Sequence, residues 1–133
     1  MTTETDGPRP EGTLTLRTVA LDRDTNSNGD IFGGWLVAQM DLAASNLAGR
    51  IAKGRTATVS IDKMDFISPV RVGAEVSCYT HLLDIGRSSM RIRVEVWTRD
   101  RYSTEARKVT ESVFVLVAID DMGRIRPVPD QNG

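Results

Sequence analysis

The sequence is poor in the residues that most often build metal sites, disulfides and nucleophile–base pairs. Its 133 residues include one cysteine, Cys78, and one histidine, His81. A zinc site built on several Cys and His ligands of one chain, a redox CxxC pair and an internal disulfide are therefore excluded. A nucleophile of the Ser–His or Cys–His kind would have to use His81. We predict no metal site, and the single unpaired cysteine favours a reducing cytoplasm.

The chain also lacks a marked excess of charge and any long hydrophobic run. It carries 17 Lys and Arg against 18 Asp and Glu, a formal net charge of −1, whereas binding to nucleic-acid phosphates requires a basic excess. The longest apolar run, residues 113–119, is far below the roughly 20 residues that span a bilayer. Residues 1–12 have no apolar segment of the signal-peptide kind. These features predict a soluble protein without nucleic-acid or membrane partners.

The periodicity indicates one domain between two tails. Residues 1–12 are polar and proline-containing, which predicts a disordered N-terminal tail, and residues 127–133 read as a frayed C-terminal tail. The domain between them, residues 13–126, has one helix pattern at 35–53. Strand patterns lie at 12–21, 56–66, 74–85, 88–102 and 106–119. We therefore predict an α+β fold, with one antiparallel sheet of five to six strands wrapped around a central helix.

The predicted helix places one carboxylate on an unusual face. At 100° per residue, Asp41 lies about 150° from the polar stripe that contains Asn46 and Arg50, among small side chains such as Ala44 and Ala48. Small neighbours allow a slender ligand or another backbone to approach. Asp41 is thus a candidate general base, although a carboxylate within a helix is more often exposed or bonded to nearby donors.

Two loops are candidates for binding an oxyanion or a phosphate. The first, which contains Asn26, leads through Gly33 and Gly34 into the helix, where free N–H groups can donate to an anion. An ordinary turn with an Asp or Asn cap is the simpler interpretation. The second is a turn that combines one cation with two hydroxyls, formed by Gly86, Arg87, Ser88 and Ser89. Taken alone, it is more typical of a plain hairpin.

Read together, these stretches resemble one known family. Residues 26–41 (NSNGDIFGGWLVAQMD) are similar to the helix-entry signature of the hotdog-fold acyl-CoA thioesterases, of the small bacterial YciA type. Three further stretches are similar: TVSIDKMDFISPVRVG at 58–73, GRSSMRIRVEVW at 86–97 and KVTE at 108–111. The resemblance implies a hotdog fold in which two subunits form the active site at their interface, usually within a hexamer built as a trimer of dimers.

The resemblance also implies roles for individual residues. Asp41 falls on the family's helix carboxylate, which activates water or attacks the thioester, and Asn26 would orient water or the carbonyl from the partner subunit. The backbone N–H of Gly34, with that of Gly33, would hold the developing oxyanion. Contacts to the phosphates of coenzyme A fall on Gly86, Arg87, Ser88, Ser89, Arg107 and Lys108. Coenzyme A enters as part of the substrate, and no separate cofactor is implied.

Three alternatives remain beside hydrolysis of acyl-CoA. Hydration or dehydration of an acyl thioester uses a His with a carboxylate, and the helix and its entry loop contain no His. A non-catalytic acyl-CoA-binding module would bind without turnover, usually beside an effector domain. Binding of nucleic acid through the Arg-bearing strand conflicts with the balanced charge.

Overall fold

One helix lies across a five-stranded antiparallel sheet in the computed structural model, which describes residues 9–132. The strands are β1 (Thr13–Val19), β2 (Thr56–Ile61), β3 (Glu75–Ile85), β4 (Ser89–Arg99) and β5 (Ala106–Ala118), and α1 spans Gly33–Ala52. A short 3-10 turn at Asp22–Asp24 lies between β1 and α1. The sheet order is β1-β3-β4-β5-β2. The predicted α+β fold is confirmed, and the sheet has five strands.

The sheet can wrap the helix because every pair of neighbouring strands contains an irregularity. Register shifts occur between residues 14 and 16, 58 and 60, 82 and 84, and 96 and 97. Such bulges bend a strand and increase its twist. The concave face of the sheet then covers the apolar stripe of α1, in which Leu36, Met40 and Ile51 are buried and Leu47 packs at the margin. The 3.6-residue repeat of these four residues thus marks the buried face of the helix.

The ends of α1 differ from the sequence prediction at two points. The helix begins at Gly33, two residues before the predicted start, and its N-cap is Phe32, which makes no side-chain capping bond. The simpler interpretation, an Asp or Asn cap, is wrong. At the other end the helix ends at Ala52, one residue before the predicted end, and Lys53 adopts the left-handed conformation, with φ of 55°. A Cβ at Gly54 would lie 2.7 Å from a nitrogen of the Arg126 guanidinium, so a side chain at this position would require Arg126 to shift.

The structure describes only the last residues of the predicted N-terminal tail but nearly all of the predicted C-terminal tail. Residues 1–8 of the N-terminal tail lie outside the described residues. The Glu11 N–H donates to Glu95, and the Arg93 guanidinium donates to the Glu11 carboxylate at 2.7 Å. At the C-terminus, Val128 packs against the core and the Gln131 side chain donates to the Ile51 carbonyl. The expectation of a frayed C-terminus is wrong for this segment, because it is hydrogen-bonded to the domain.

Met40 allows a direct test of the core. Its side chain is fully buried under the sheet, whereas the Met122 side chain is 74% exposed. Met40→Ala should lower the free energy of unfolding by about 2–5 kcal/mol, because it leaves a cavity in the core. Met122→Ala makes the same chemical change at the surface and should shift that energy by no more than about 0.5 kcal/mol. Urea unfolding at one fixed protein concentration measures both; equal effects would contradict the assigned core.

Candidate active site

Asp41 lies in the middle of α1 and faces the neighbouring edge strand β2. Its side chain is half-buried in the single chain. The Thr58 hydroxyl on β2 donates a 2.6 Å hydrogen bond to Asp41 Oδ1. This bond fixes the direction of the carboxylate, and within residues 9–132 its Oδ2 accepts no hydrogen bond. Thr58 is a functional candidate that sequence reasoning missed, since only the packing of α1 on β2 brings it to Asp41.

The helix N-terminus offers backbone donors above an open surface. Gly33 and Gly34 are the first two residues of α1, and no side chain caps this end of the helix. A Cβ at Gly34 would meet nothing within 4 Å, whereas one at Gly33 would touch the Phe66 ring at 3.5 Å. The backbone of Gly34 is therefore accessible to a ligand atom. Asp41 follows Gly34 by seven residues, which is two helical turns, so both lie on one face of α1.

Asn26 is held in its loop by a small hydrogen-bond network. Its side-chain oxygen accepts from the N–H groups of Asn28 and Asp30, at 2.9 and 3.2 Å. Its own N–H donates to the Asp30 carbonyl at 2.7 Å. The side-chain oxygen is thus engaged within the loop, and the amide nitrogen is the group left to donate to a ligand. Asn26 and Asp41 form no hydrogen bond with each other in the described chain.

The turn of Gly86, Arg87, Ser88 and Ser89 lies at the opposite end of the sheet from Gly34. Ser89 pairs with Val117 near the end of β5. The loop that follows β2 lies at the level of the helix start, and there the Ile67 N–H donates to the Val109 carbonyl near the beginning of β5. Eight residues of strand separate those two levels, roughly 27 Å. One chain therefore does not bring the turn and the helix N-terminus together.

Arg107 and Lys108 occupy contacts that the sequence does not reveal. The Arg107 guanidinium donates to Ser68 Oγ, the Pro69 carbonyl and Asp100 Oδ2, at 2.8, 3.0 and 2.9 Å. It therefore holds the loop that precedes β3. Lys108 donates to Glu111 on the same strand. Both line a cavity of about 420 Å³ on the outer face of the sheet, together with Glu95 and Trp97. None of Asp41, Asn26 and Gly34 lines that cavity.

Several other chemistries find no support in the described residues. Cys78 is fully buried, and burial raises the pKa of its thiol to about 12, so a reactive thiolate is absent near neutral pH. His81 is exposed on β3 and pairs across the sheet with Arg93. Within residues 9–132, no cluster of three or more His, Cys, Asp or Glu could hold a metal. In the same part of the chain, no helix is long and apolar enough to cross a membrane.

Comparison with known proteins identifies the family. Residues 28–105, more than half of the chain, match the family described as "Thioesterase superfamily". The chain belongs to the thioesterase superfamily. This thioesterase is 46% identical over 125 residues to "Acyl-CoA thioester hydrolase YciA" of Salmonella typhimurium, an alignment that covers 92% of this chain and 94% of the relative.

Solved structures agree with the family assignment. A structure described as a hexameric broad specificity acyl-coenzyme A thioesterase is 47% identical, with a TM-score of 0.90, covering 98% of this chain and 90% of the other. A hexameric thioesterase from Yersinia pestis is 48% identical, with a TM-score of 0.87, over 92% of this chain and 99% of the other. The predicted family and hotdog fold are both confirmed.

The contact between Thr58 and Asp41 gives a test of the site. Thr58→Val keeps the shape of the side chain but removes the hydroxyl that orients the carboxylate. We expect kcat for acyl-CoA hydrolysis to fall by roughly 10- to 100-fold, since a hydrogen bond to a charged group is worth about 1.5–3 kcal/mol. Thr58→Ser retains the hydroxyl and should keep most of the activity. Unchanged turnover in Thr58→Val would show that this hydrogen bond does not contribute to catalysis.

Proposed function

We propose that this thioesterase hydrolyses acyl-CoA to a free carboxylic acid and coenzyme A, with Asp41 as the catalytic carboxylate. The observation that supports this most is the position of Asp41, held by Thr58 on one side and lying on the same helix face as the uncapped amide of Gly34. A base and an oxyanion donor on one face are the two groups that acyl transfer from a thioester requires. The names of the relatives point to the same substrate class.

The reaction can be written through these groups. Asp41 takes a proton from water, and the water oxygen forms a bond to the thioester carbonyl carbon. The negative charge that develops on the carbonyl oxygen is stabilised by the N–H of Gly34, supported by that of Gly33. The carbon–sulfur bond then breaks, and the proton held by Asp41 passes to the departing thiolate. In the alternative route, the Asp41 carboxylate attacks the carbonyl first and water cleaves the resulting anhydride.

We further propose that the site is completed by a second copy of the chain. The free edge of β2 pairs with no strand in the described chain. Beside it, the side chains of Val59 and Ile61 on β2 and of Leu42 next to Asp41 are 56, 43 and 59% exposed. An unpaired edge with exposed apolar side chains is a template for another strand. The hexamers formed by the relatives support assembly of such dimers in threes.

A two-fold axis between two β2 edges would reverse one sheet relative to the other. When the axis is perpendicular to the joined sheet, the two edge strands run antiparallel and both helices lie on the same face. The end of one chain that holds Asn26 and Gly34 then lies beside the end of the partner that holds its 86–89 turn. This arrangement would let Asn26 act on a substrate whose phosphates contact Arg87, Ser88 and Ser89 of the other subunit.

Contacts to coenzyme A are proposed for the turn in preference to Arg107. Arg87 is exposed, and Gly86 and Ser89 close the turn through a 2.8 Å backbone hydrogen bond. Lys108 remains a candidate for phosphate contact because it lines the outer cavity. Arg107 already uses its guanidinium to hold the 68–69 loop. A cytoplasmic location is part of the same proposal, and the single free thiol Cys78 supports it.

Replacement of Asp41 tests the proposed function. Asp41→Asn preserves size and the contact with Thr58 but removes the basic oxygen, and we expect kcat to fall by roughly 10²–10⁴. Asp121→Asn makes the same change on an exposed loop and should leave kcat unaltered. Release of free thiol from acyl-CoA measures both variants. Size-exclusion chromatography must show the same oligomer for both, and near-normal turnover in Asp41→Asn would exclude Asp41 as the catalytic carboxylate.

Two further measurements separate the alternatives. If Asp41 attacks the thioester and water then attacks the Asp41 carbonyl of the anhydride, one turnover in ¹⁸O-labelled water should release unlabelled acid and leave ¹⁸O in the Asp41 carboxylate. A general base should give labelled acid and an unlabelled Asp41 in the first turnover. A non-catalytic acyl-CoA module would bind substrate tightly in the native chain without releasing thiol.

A further inference from the structure

The C-terminal segment, residues 126–131, connects α1 and β5 at one end of the domain. The Arg126 N–H donates to the Ala118 carbonyl at the end of β5, and its guanidinium donates to the carbonyls of Ile119 and Ala52 at 3.0 and 2.8 Å. The Gln131 side chain donates to the Ile51 carbonyl at 3.0 Å. The segment therefore caps the last carbonyls of α1 with side-chain donors and ties them to β5.

Val128 carries the same segment to the turn formed by Gly86, Arg87, Ser88 and Ser89. Its N–H donates a 2.8 Å hydrogen bond to the Arg87 carbonyl, and its side chain packs against the core. Pro127 and Pro129 have no N–H, so Val128 supplies the one backbone donor of these three residues. A residue before proline is also restricted to extended conformations. Sequence and hydrogen bonding together give Val128 a fixed geometry against the turn.

This contact determines where the next backbone donor points. In a trans peptide the C=O and the following N–H point in opposite directions. Because the Arg87 carbonyl is directed at Val128, the Ser88 N–H is directed away from the C-terminal segment. The Ser88 carbonyl is in turn held by the Ala118 N–H at 2.9 Å. Within residues 9–132, the Ser88 N–H donates to no acceptor.

We propose that Val128 is a positioning residue for substrate binding: by holding the Arg87 carbonyl, it aims the Ser88 N–H at a phosphate of the coenzyme A moiety. Val128 itself does not touch the substrate. The inference rests on the proposed function, since it assigns the turn to the phosphate-bearing half of acyl-CoA. The affinity of this turn for phosphate then depends on a hydrogen bond from the C-terminal segment, although that segment does not itself contact the substrate.

The experiment removes that hydrogen bond and changes the substrate in parallel. Val128→Pro deletes the N–H at a position where both neighbours are already proline, and Val128→Ala keeps the N–H as the matched control. Each variant is assayed with an acyl-CoA and with the same acyl group on N-acetylcysteamine, which has no phosphate. We expect Val128→Pro to raise KM for acyl-CoA about tenfold at nearly constant kcat, the effect of one hydrogen bond to a charged group.

The same variant should leave kcat/KM for the N-acetylcysteamine thioester unchanged, and Val128→Ala should keep KM for acyl-CoA within about twofold of the native value. Calorimetric titration with coenzyme A alone should show the same loss of affinity in Val128→Pro without depending on turnover. If Val128→Pro does not fold, Pro129→Ala relaxes the segment while it keeps every donor, and a smaller rise in KM for acyl-CoA alone is expected.

The outcomes distinguish this inference from the proposed function. Equal losses on both substrates, or no loss on either with unchanged affinity for coenzyme A, would overturn the positioning role while the thioesterase activity stands. Equal kcat/KM of the native enzyme for both substrates would also overturn it, because phosphate then contributes nothing. Absence of hydrolysis by the native chain would instead refute the proposed function, and the calorimetric comparison would still decide the role of Val128.

Discussion

The rest of the structure depends on the limited coverage that one five-stranded sheet gives to one 20-residue helix. The concave face buries Leu36, Met40 and Ile51, but Leu42 remains 59% exposed beside the half-buried Asp41. A helix of this length presents more surface than five strands can cover from one side. The strip left open contains the candidate catalytic carboxylate, and the sheet ends next to it at the unpaired edge of β2. Incomplete coverage is thus what makes a site between two copies possible.

The same constraint explains why the candidate site is weakly developed in a single chain. The described cavity that is lined by Glu95 and Trp97 lies on the outer face of the sheet, away from Asp41. Its lining groups are engaged with one another, since the Trp97 indole N–H and the Glu11 N–H both donate to Glu95. Around Asp41 the chain offers one oriented carboxylate and open backbone donors, which become a water-excluding site only when a second surface covers them.

Periodicity predicted the parts of the fold that depend on neighbours along the chain. The five strands occur where alternation predicts them, and the buried residues of α1 follow the 3.6-residue repeat, because both patterns follow directly from burial on one face. The predicted strand at 56–66 is too long, since β2 ends at Ile61. The position of Asp41 among Ala44 and Ala48 follows from the same repeat. The order β1-β3-β4-β5-β2 and the contact with Thr58 join residues far apart in sequence, and no local pattern encodes them.

The errors fall where a segment is held by hydrogen bonds and shows no apolar periodicity. Residues 127–131 look like a frayed end because two prolines and polar residues give no repeat, yet Val128 and Gln131 are bound to the domain. Arg107 looks like a free cation because its partners, Ser68 and Asp100, lie on separate loops. In both cases a side chain or a single backbone N–H donates to carbonyls that have no hydrogen-bond partner within their own helix end or loop. The hydrogen bond from Val128 also fixes the 86–89 turn, so a segment that looks unstructured in the sequence sets the geometry of the surface proposed to meet the substrate.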